Sequence, residues 1–244
     1  MADLVAGVDG CRAGWVVVLT ERGCANGGAG AEVALARDFR AVLALTRAAR
    51  VVGVDMPIGL LDAATPGGRE CDRHARRLLG SPRGCSVFSP PARCALTRAS
   101  YRAALAANRA SSAARLGISI ECFGLFRRLR EVDEALGADL ALAERVTEIH
   151  PELSFRALAG GAAGLLEPKR SPRGLSRRVA LLRRAFPRLA RTLTTRVAGV
   201  AADDVLDAHA VAWSAARVAG DAAVCLPARP APRDARGLPM AIWY

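Results

Sequence analysis

The chain has 244 residues, of which 52% are hydrophobic, and a formal net charge of +12. It is therefore long and apolar enough to bury a full core, and its composition argues against intrinsic disorder. No apolar run approaches the roughly 20 residues that span a bilayer, and the first residues lack the basic and apolar regions of a signal peptide. The seven cysteines are scattered without a CxxC pair, which favours reduced thiols, with a zinc site at Cys71 and His74 as the alternative. We expect a cytoplasmic protein that makes no contact with membranes.

The first predicted elements are antiparallel strands. An apolar strand that ends in Asp9 is followed by a tight turn and a second apolar strand, and Asp9 is the only acid between Leu4 and Thr20. A carboxylate near the centre of a sheet needs a cation, a metal ion or several hydrogen bonds as its partner. The predicted boundaries are a hairpin over Leu4–Leu19 with its turn at Gly10–Gly14 and its second strand at Trp15–Leu19, a turn over Cys24–Gly30, and a third strand over Ala31–Ala36.

A crossover to a parallel strand is predicted next. Apolar residues at helical spacing predict a helix over Phe39–Arg50, and the short apolar run Val51–Asp55 predicts a buried strand. If this strand pairs in parallel with the first, Asp9 and Asp55 lie side by side, at the end of the sheet where ligands gather. Residues 60–143 are predicted to be a helical insertion within a single domain, residues 1–244. Its predicted helices cover Arg69–Leu79, Ser100–Ala114 and Phe126–Leu136.

The second half of the chain is predicted to be mainly helical. The remaining predicted elements are a fifth strand over Arg145–Ile149, a short helix from Pro151, two helices over Leu175–Leu193 separated at Pro187, and a last helix over Asp203–Val218. The fifth strand carries Glu148, and Asp203 is expected to be the N-cap of the last helix. The tail is rich in proline and then apolar, so we expect it to pack back onto the body.

Acidic residues at the ends of these elements are the candidate catalytic and metal-binding residues. Several carboxylates at one point repel each other unless cations lie between them, and Mg²⁺ or Mn²⁺ binds oxygen ligands of this kind. Two such ions about 4 Å apart activate a water molecule and stabilise the leaving oxygen of a phosphodiester. The candidate metal ligands are Asp9, Asp55, Asp204 and Asp207, with Glu148 as an outer or alternate ligand and His150 as a residue that relays protons or positions a phosphate.

Each candidate also has a purely structural interpretation. Asp9 and Asp55 are residues of a type that forms turns, and the acids of the last helix match the dipole of a helix start. Glu148 can pair with an arginine, and His150 can be an ordinary loop histidine. Two strands that both end in aspartate, followed by DDxxD at the start of a helix, are harder to explain in this way. The pattern does not decide whether Asp203 or its neighbour faces the site.

Positive charge is concentrated in two segments. Residues 168–196 hold ten Lys or Arg and no acid, and residues 69–102 hold eight Arg and two acids. A concentrated basic surface suits a polyanion, so nucleic acid is the expected partner. Composition offers another explanation, because Lys169 is the only lysine and the abundance of Ala, Arg and Gly is what a GC-rich coding sequence produces.

Seven motifs spread over nearly the whole chain resemble DUF429, a bacterial and archaeal family described as predicted RNase H-like nucleases. The motifs are GVDGCRAGWVVV, VDMPIGL, RECDRHARRLLG, SVFSPPAR, EIHPELSF, DDVLDAHAVAWSAAR and GLPMAIWY. The resemblance implies an α/β fold with a mixed five-stranded sheet, three antiparallel strands followed by two parallel ones, and helices on both faces. In that fold the first acid lies on the first strand, matching Asp9, and a final pair opens the last helix, matching Asp204 and Asp207. In its Holliday-junction resolvase branch a second acid ends the fourth strand, matching Asp55.

The activity that the resemblance implies is that of a divalent-metal-dependent nuclease. Two features depart from the pattern: Asp55 is found where the resolvase branch has a glutamate, and Ser119-Ile120-Glu121 is found where the family has Ser-x-Gln. Two other interpretations stay open. One is an inactive nucleic-acid-binding or regulatory protein with the same fold. The other is an ATP-dependent phosphotransferase of the sugar kinase superfamily, which the short chain and the lack of clear Gly-rich phosphate loops argue against.

Overall fold

The computed structural model describes residues 3–23, 30–161, 165, 167–194 and 198–244. Its strands are β1 (Leu4–Cys11), β2 (Gly14–Glu21), β3 (Glu32–Ala36), β4 (Val51–Val54), β5 (Val146–Glu148), β6 (Cys225–Leu226) and β7 (Ile242–Trp243). Its helices are α1 (Phe39–Leu45), α2 (Glu70–Leu79), α3 (Arg93–Leu96), α4 (Tyr101–Ala110), α5 (Ile120–Gly124), α6 (Phe126–Ala138), α7 (Leu142–Arg145), α8 (Pro151–Leu158), α9 (Pro172–Ala185), α10 (Leu189–Thr194) and α11 (Ala202–Ala219), with a 3-10 helix at Arg83–Ser86. The predicted turn over Cys24–Gly30 lies, apart from Gly30, outside the described residues.

The first five strands form one mixed sheet in the order β3-β2-β1-β4-β5. β1, β2 and β3 are antiparallel neighbours, whereas β1, β4 and β5 are parallel to one another. Helices cover both faces of this sheet. The arrangement is the one expected for an RNase H-like fold, so the predicted fold class is confirmed. Among the described helices, none is both long and apolar enough to cross a membrane.

Alternation along the central strands assigns each side chain to one of two helical layers. Ala6 and Val8 pack in the core that contains α1 and α6, whereas Val5 packs with α11 on the opposite face. Residues two positions apart share a face, so Asp9 belongs to the α11 side with Val5. β4 runs parallel to β1 in matching register, and Asp55 is therefore directed to the same side.

Helix α11 lies directly against the two central strands. A Cβ atom at Gly7 would lie 2.1 Å from the Ala208 carbonyl oxygen and 2.2 Å from the Ala212 nitrogen, so only glycine lets the helix backbone come this near. Gly53 pairs with Gly7 between β4 and β1, and a Cβ atom there would also meet α11. This close approach fixes the height of the helix above the sheet, and with it the position of Asp207.

The C-terminal segment holds the helices of residues 60–143 in place. Helices α3 to α6 pack in the core on the face of the sheet opposite α11. Asp234 accepts hydrogen bonds from the Leu60 N–H, at 3.0 Å, and from the Arg93 guanidinium. Arg93 also donates to Asp133 of α6 at 2.5 Å. The tail therefore packs back onto the body, as predicted.

The first hairpin is tighter than the sequence predicted. β1 continues past Asp9 to Cys11, and Cys11 pairs with Gly14 at the start of β2. Gly14 has a φ of +140°, a conformation that favours glycine, and it allows the chain to reverse over the two intervening residues. Asp9 consequently lies inside the strand rather than at its end.

The last helix begins earlier than predicted. Its N-cap is Ala201 rather than Asp203, because the Asp204 carboxylate accepts the Ala201 N–H at 3.0 Å and satisfies one of the free donors of the first turn. The predicted separation at Pro187 is observed, since α9 ends and α10 begins on either side of it. The predicted helix over Phe39–Arg50 is shorter than expected and ends at Leu45.

Candidate active site

The two strand aspartates lie side by side. Val8 of β1 is level with Val54 of β4, and the Asp55 N–H donates to the Val8 carbonyl oxygen at 2.9 Å. The next residues along the two strands, Asp9 and Asp55, are therefore neighbours, and both side chains line one cavity. Parallel pairing thus places both carboxylates where β4 ends, beside the last residues of β1, at the edge where ligands bind in α/β sheets.

Helix α11 adds a third carboxylate to this pair. Asp207, in the first turns of the helix, is 3% exposed and lines the same cavity as Asp9 and Asp55. We call these three side chains the carboxylate cluster. The cavity has a volume of about 330 Å³, and its lining also includes Lys169, Glu152, His150, Glu148, Ser86 and Arg83.

Burial and mutual repulsion raise the pKa of each carboxyl group in the cluster. The pKa of Asp9 lies well above its usual range, because the group is buried and faces Asp55 and Asp207. Burial raises the pKa of Asp55 to about 7 and the pKa of Asp207 to about 6, even though Lys169 acts in the opposite direction on both. The cluster therefore binds protons more readily than exposed carboxyl groups do, and a cation that entered the cavity would take the place of those protons.

Lys169 is the cation that faces the cluster. Its Nζ lies 2.7 Å from Asp207 Oδ2 and 3.8 Å from Asp203 Oδ2. Burial alone would lower the pKa of Lys169, but the facing carboxylates, Asp207 foremost, raise it, so the ammonium stays charged. From the sequence, Lys169 counted only as part of a basic segment. The available signal was its identity as the single lysine in the chain.

Glu152 supplies a further carboxylate that the sequence patterns did not reveal. It lies in the first turn of α8 and is 7% exposed. Its Oε1 accepts a hydrogen bond from Arg178 Nη2 at 2.6 Å, while its Oε2 is buried without a hydrogen-bond partner among the described residues. Glu152 lines the cavity, so a free carboxylate oxygen is available beside the cluster.

Glu148 is held by an arginine rather than by the cluster. It lies two residues after Val146, which packs with α1 and α6, so it points to the face opposite α11. Arg69 donates to both of its oxygens, at 2.7 and 2.8 Å, and also donates to Asp72 at 2.6 Å. The Ile58 N–H bonds the same carboxylate at 2.8 Å. Glu148 thus lines the cavity, and both of its carboxylate oxygens already accept hydrogen bonds.

The other predicted site residues lie at the margins of the cluster. Asp204 is half-buried and bonds the start of its own helix, although its charge still contributes to the raised pKa of Asp9. Asp203 accepts a hydrogen bond from Arg170 at 3.1 Å. His150 lines the cavity as the N-cap of α8.

The two ring nitrogens of His150 are both engaged. Its Nδ1 accepts the Glu152 N–H at 3.2 Å, and its Nε2 lies 3.4 Å from the Ser86 carbonyl oxygen, which assigns the ring proton to Nε2. Burial lowers the pKa of His150, so the imidazole is neutral at pH 7. The ring positions the start of α8 against the loop that carries Ser86.

The oxygen atoms that line the cavity are of the kind that binds a hard divalent cation. Asp9, Asp55, Asp207 and Glu152 offer only oxygen atoms, the ligands that Mg²⁺ and Mn²⁺ prefer, and one Glu152 oxygen lacks a partner. Within the described ranges, no three His, Cys, Asp or Glu side chains form a ready coordination shell. A bound ion would therefore have to draw these carboxylates closer together.

Comparisons with known proteins give one match. The model of a family described as "Protein of unknown function (DUF429)" matches residues 7–232, a range that contains every residue of the cavity named above. No curated protein matches the chain. No solved structure matches it.

Proposed function

The chain belongs to the DUF429 family, and we propose that it is a divalent-metal-dependent nuclease that hydrolyses phosphodiester bonds in DNA or RNA. The observation that carries this proposal is the cavity in which Asp9, Asp55 and Asp207 meet from two parallel strands and a helix. Burial raises the pKa of each of these carboxyl groups, and a bound cation would replace the protons that they hold, which supports the proposal. Mg²⁺ or Mn²⁺ is the cation that its oxygen donors suit.

The residues of the cavity have distinct roles in the proposed reaction. Asp9, Asp55 and Asp207 would hold the metal, with Asp204 as an additional acid close to Asp9. The bound metal supplies a water of lowered pKa and positive charge for the phosphate. Lys169 and Arg83 bring further positive charge to the cavity, where they would meet the phosphate of the scissile bond. No side chain has to act as the nucleophile.

Charge on the rest of the surface supports a polyanionic substrate. Some arginines of the two basic segments are used internally: Arg69, Arg93 and Arg178 each bond a buried acid. Others face solvent on α9 and just after it, among them Arg173, Arg183, Arg184 and Arg188. Exposed arginine on a helix that begins three residues after Lys169 would guide a nucleic-acid backbone to the cavity.

The proposal is tested by incubating purified protein with single- and double-stranded DNA and RNA in Mg²⁺, Mn²⁺ or EDTA. We expect cleavage that requires the metal and falls on the order of 100-fold or more in Asp9→Asn and Asp207→Asn, because each loses a charged ligand of the ion. Asp62→Asn, at an exposed position, is the matched control and should cleave like the wild type.

Failure to cleave any substrate with either metal, in a protein shown to be folded, would count against a nuclease. Salt-sensitive nucleic-acid binding that persists in Asp9→Asn would then indicate a binding or regulatory protein with the same fold.

A further inference from the structure

We propose that Lys169 is a permanent cation of the carboxylate cluster that takes the place of a second metal ion, so that the site binds one divalent ion. The inference rests on the proposed function for the identity of the ion, and it adds the number of ions and the residue that sets this number. It differs from the two-ion arrangement that the sequence patterns suggested.

The position of Lys169 is the first argument. Its ammonium is 2.7 Å from Asp207 and its charge also acts on Asp9 and Asp55. Metal binding requires ionised ligands, and the carboxylates of Asp9, Asp55, Asp207 and Glu152, set against the cations Lys169 and Arg178, then leave two formal negative charges, which a single divalent ion neutralises. A second divalent ion would have to enter a site that already has no net negative charge, beside a fixed positive group.

Composition is an independent argument. The chain has 35 Lys and Arg residues, of which only residue 169 is lysine. The position that faces the carboxylate cluster is thus occupied by the one lysine of a chain that otherwise uses arginine for positive charge. An ammonium is a compact point charge with donors in several directions, as an ion between carboxylates must be, whereas a guanidinium is a planar fork.

The unpartnered oxygen of Glu152 indicates where the single ion binds. Arg178 holds Oε1 of this side chain and leaves Oε2 buried without a partner. A buried carboxylate oxygen without a hydrogen bond is unfavourable unless a ligand fills its place. The ion would therefore bind Glu152 in addition to Asp9, Asp55 and Asp207, of which Asp207 keeps only its Oδ2 on Lys169.

The experiment counts bound Mn²⁺ ions per chain by calorimetry and by the electron paramagnetic resonance of free Mn²⁺. We expect one ion in the wild type. We expect a second ion, or binding tighter by roughly tenfold or more, in Lys169→Met, which keeps most of the stem and removes the charge. Lys169→Arg should weaken binding, because its fork does not fit the place of the ammonium.

Arg170→Met is the matched control. It removes a positive charge from the adjacent residue, whose guanidinium contacts Asp203 and is exposed, so it should keep one ion of unchanged affinity. Two ions in the wild type would overturn the inference, and so would a Lys169→Met variant that binds Mn²⁺ no differently from Arg170→Met. Mn²⁺ binding in Lys169→Met but not in the wild type would overturn both the one-ion site and the metal-dependent function.

A second measurement needs no substitution. Because the chain has one lysine, protein made with ¹³C-lysine gives a single lysine signal in the NMR spectrum, that of residue 169. One equivalent of Mn²⁺ should broaden this signal beyond detection, because the paramagnetic ion would bind a few ångströms away. A signal that stays sharp at saturating Mn²⁺ would overturn the inference even if Lys169→Met does not fold.

Discussion

Asp55 illustrates how a buried acid makes stability depend on pH. Burial raises its pKa from 3.8 to about 7, so the folded protein keeps a proton that the unfolded chain has already lost. Between about pH 4 and pH 7 the folded state binds more protons than the unfolded state, and stability falls as the pH rises. The loss is complete above pH 7 and absent below about pH 4.

Asp55→Asn should therefore stabilise the metal-free protein at high pH. We expect a gain on the order of 1–3 kcal/mol at pH 8, since an amide cannot ionise, and no gain near pH 4. Urea unfolding in EDTA at a series of pH values measures the difference. Saturating Mg²⁺ should stabilise the wild type more than the variant.

Asp62→Asn is the control for that comparison, because its carboxylate is exposed. Equal stabilities of wild type and Asp55→Asn at pH 8, or a difference that is largest at pH 4, would contradict the interpretation of Asp55 as a strained, buried acid.

At the level of elements, the packing of α11 on the central strands positions the cluster. Gly7 and Gly53 face each other in register, and the helix backbone lies directly over them. Asp207 lies beside Asp9 and Asp55 only if the distance between α11 and the two strands is kept, because α11 carries Asp207. The site is therefore sensitive to a change at a residue that touches no ligand.

Gly7→Ala should lower both stability and metal affinity. Its Cβ atom would meet backbone atoms of Ala208 and Ala212 at about 2 Å, and neither can move without the helix. We expect a loss of at least about 2 kcal/mol in the free energy of unfolding and weaker Mn²⁺ binding in the protein that still folds. Thermal unfolding and calorimetry measure the two effects.

Gly124→Ala is the matched control for Gly7→Ala, because a Cβ atom at Gly124 has no neighbour within 4 Å. It should leave stability and Mn²⁺ affinity unchanged within error. Wild-type affinity in Gly7→Ala would show that the height of α11 does not control the site.

Local patterns permitted the parallel pairing that places Asp9 beside Asp55, because a helix connects the two apolar strands, whereas the arrangement of the whole sheet was implied by the family resemblance. The local patterns did not predict that Lys169 and Glu152 line the cavity. Lys169 precedes α9 and Glu152 begins α8, and both reach the cavity only because these helices pack against α11. Glu148 lines the same cavity, and alternation along β5 directs its carboxylate to Arg69.

For the whole molecule, the positive charge that a partner meets depends on which arginines face solvent. Arg173 and Arg184 are exposed and share one face of α9, since a spacing of eleven returns to the same side of a helix, and Arg188 is exposed just after α9. Arg178, within the same helix, is instead buried against Glu152. One face of α9 thus contributes Arg178 to the contacts of Glu152, and another face presents exposed arginines to solvent.

The double variant Arg173→Gln with Arg184→Gln should weaken nucleic-acid binding without changing Mn²⁺ binding. Each lost phosphate contact should reduce the slope of log affinity against log salt by about 0.9 on duplex DNA. Fluorescence anisotropy at several salt concentrations measures the slope. Arg47→Gln with Arg50→Gln, exposed before β4 and so away from the cavity, is the control, and an equal loss there would point to net charge alone.

The hydrogen bonds that Asp234 accepts from Leu60 and Arg93 can form only late in the synthesis of the chain. Leu60 and Asp234 are 174 positions apart, so at about 5–20 residues per second a ribosome needs roughly 10–35 s to make the second after the first. During that interval the helices of residues 60–143 lack their contact with Asp234. For most of the same interval α11 has not been made, so Asp9 and Asp55 have no Asp207 beside them. The carboxylate cluster is therefore complete only after most of the chain, through α11, has been made.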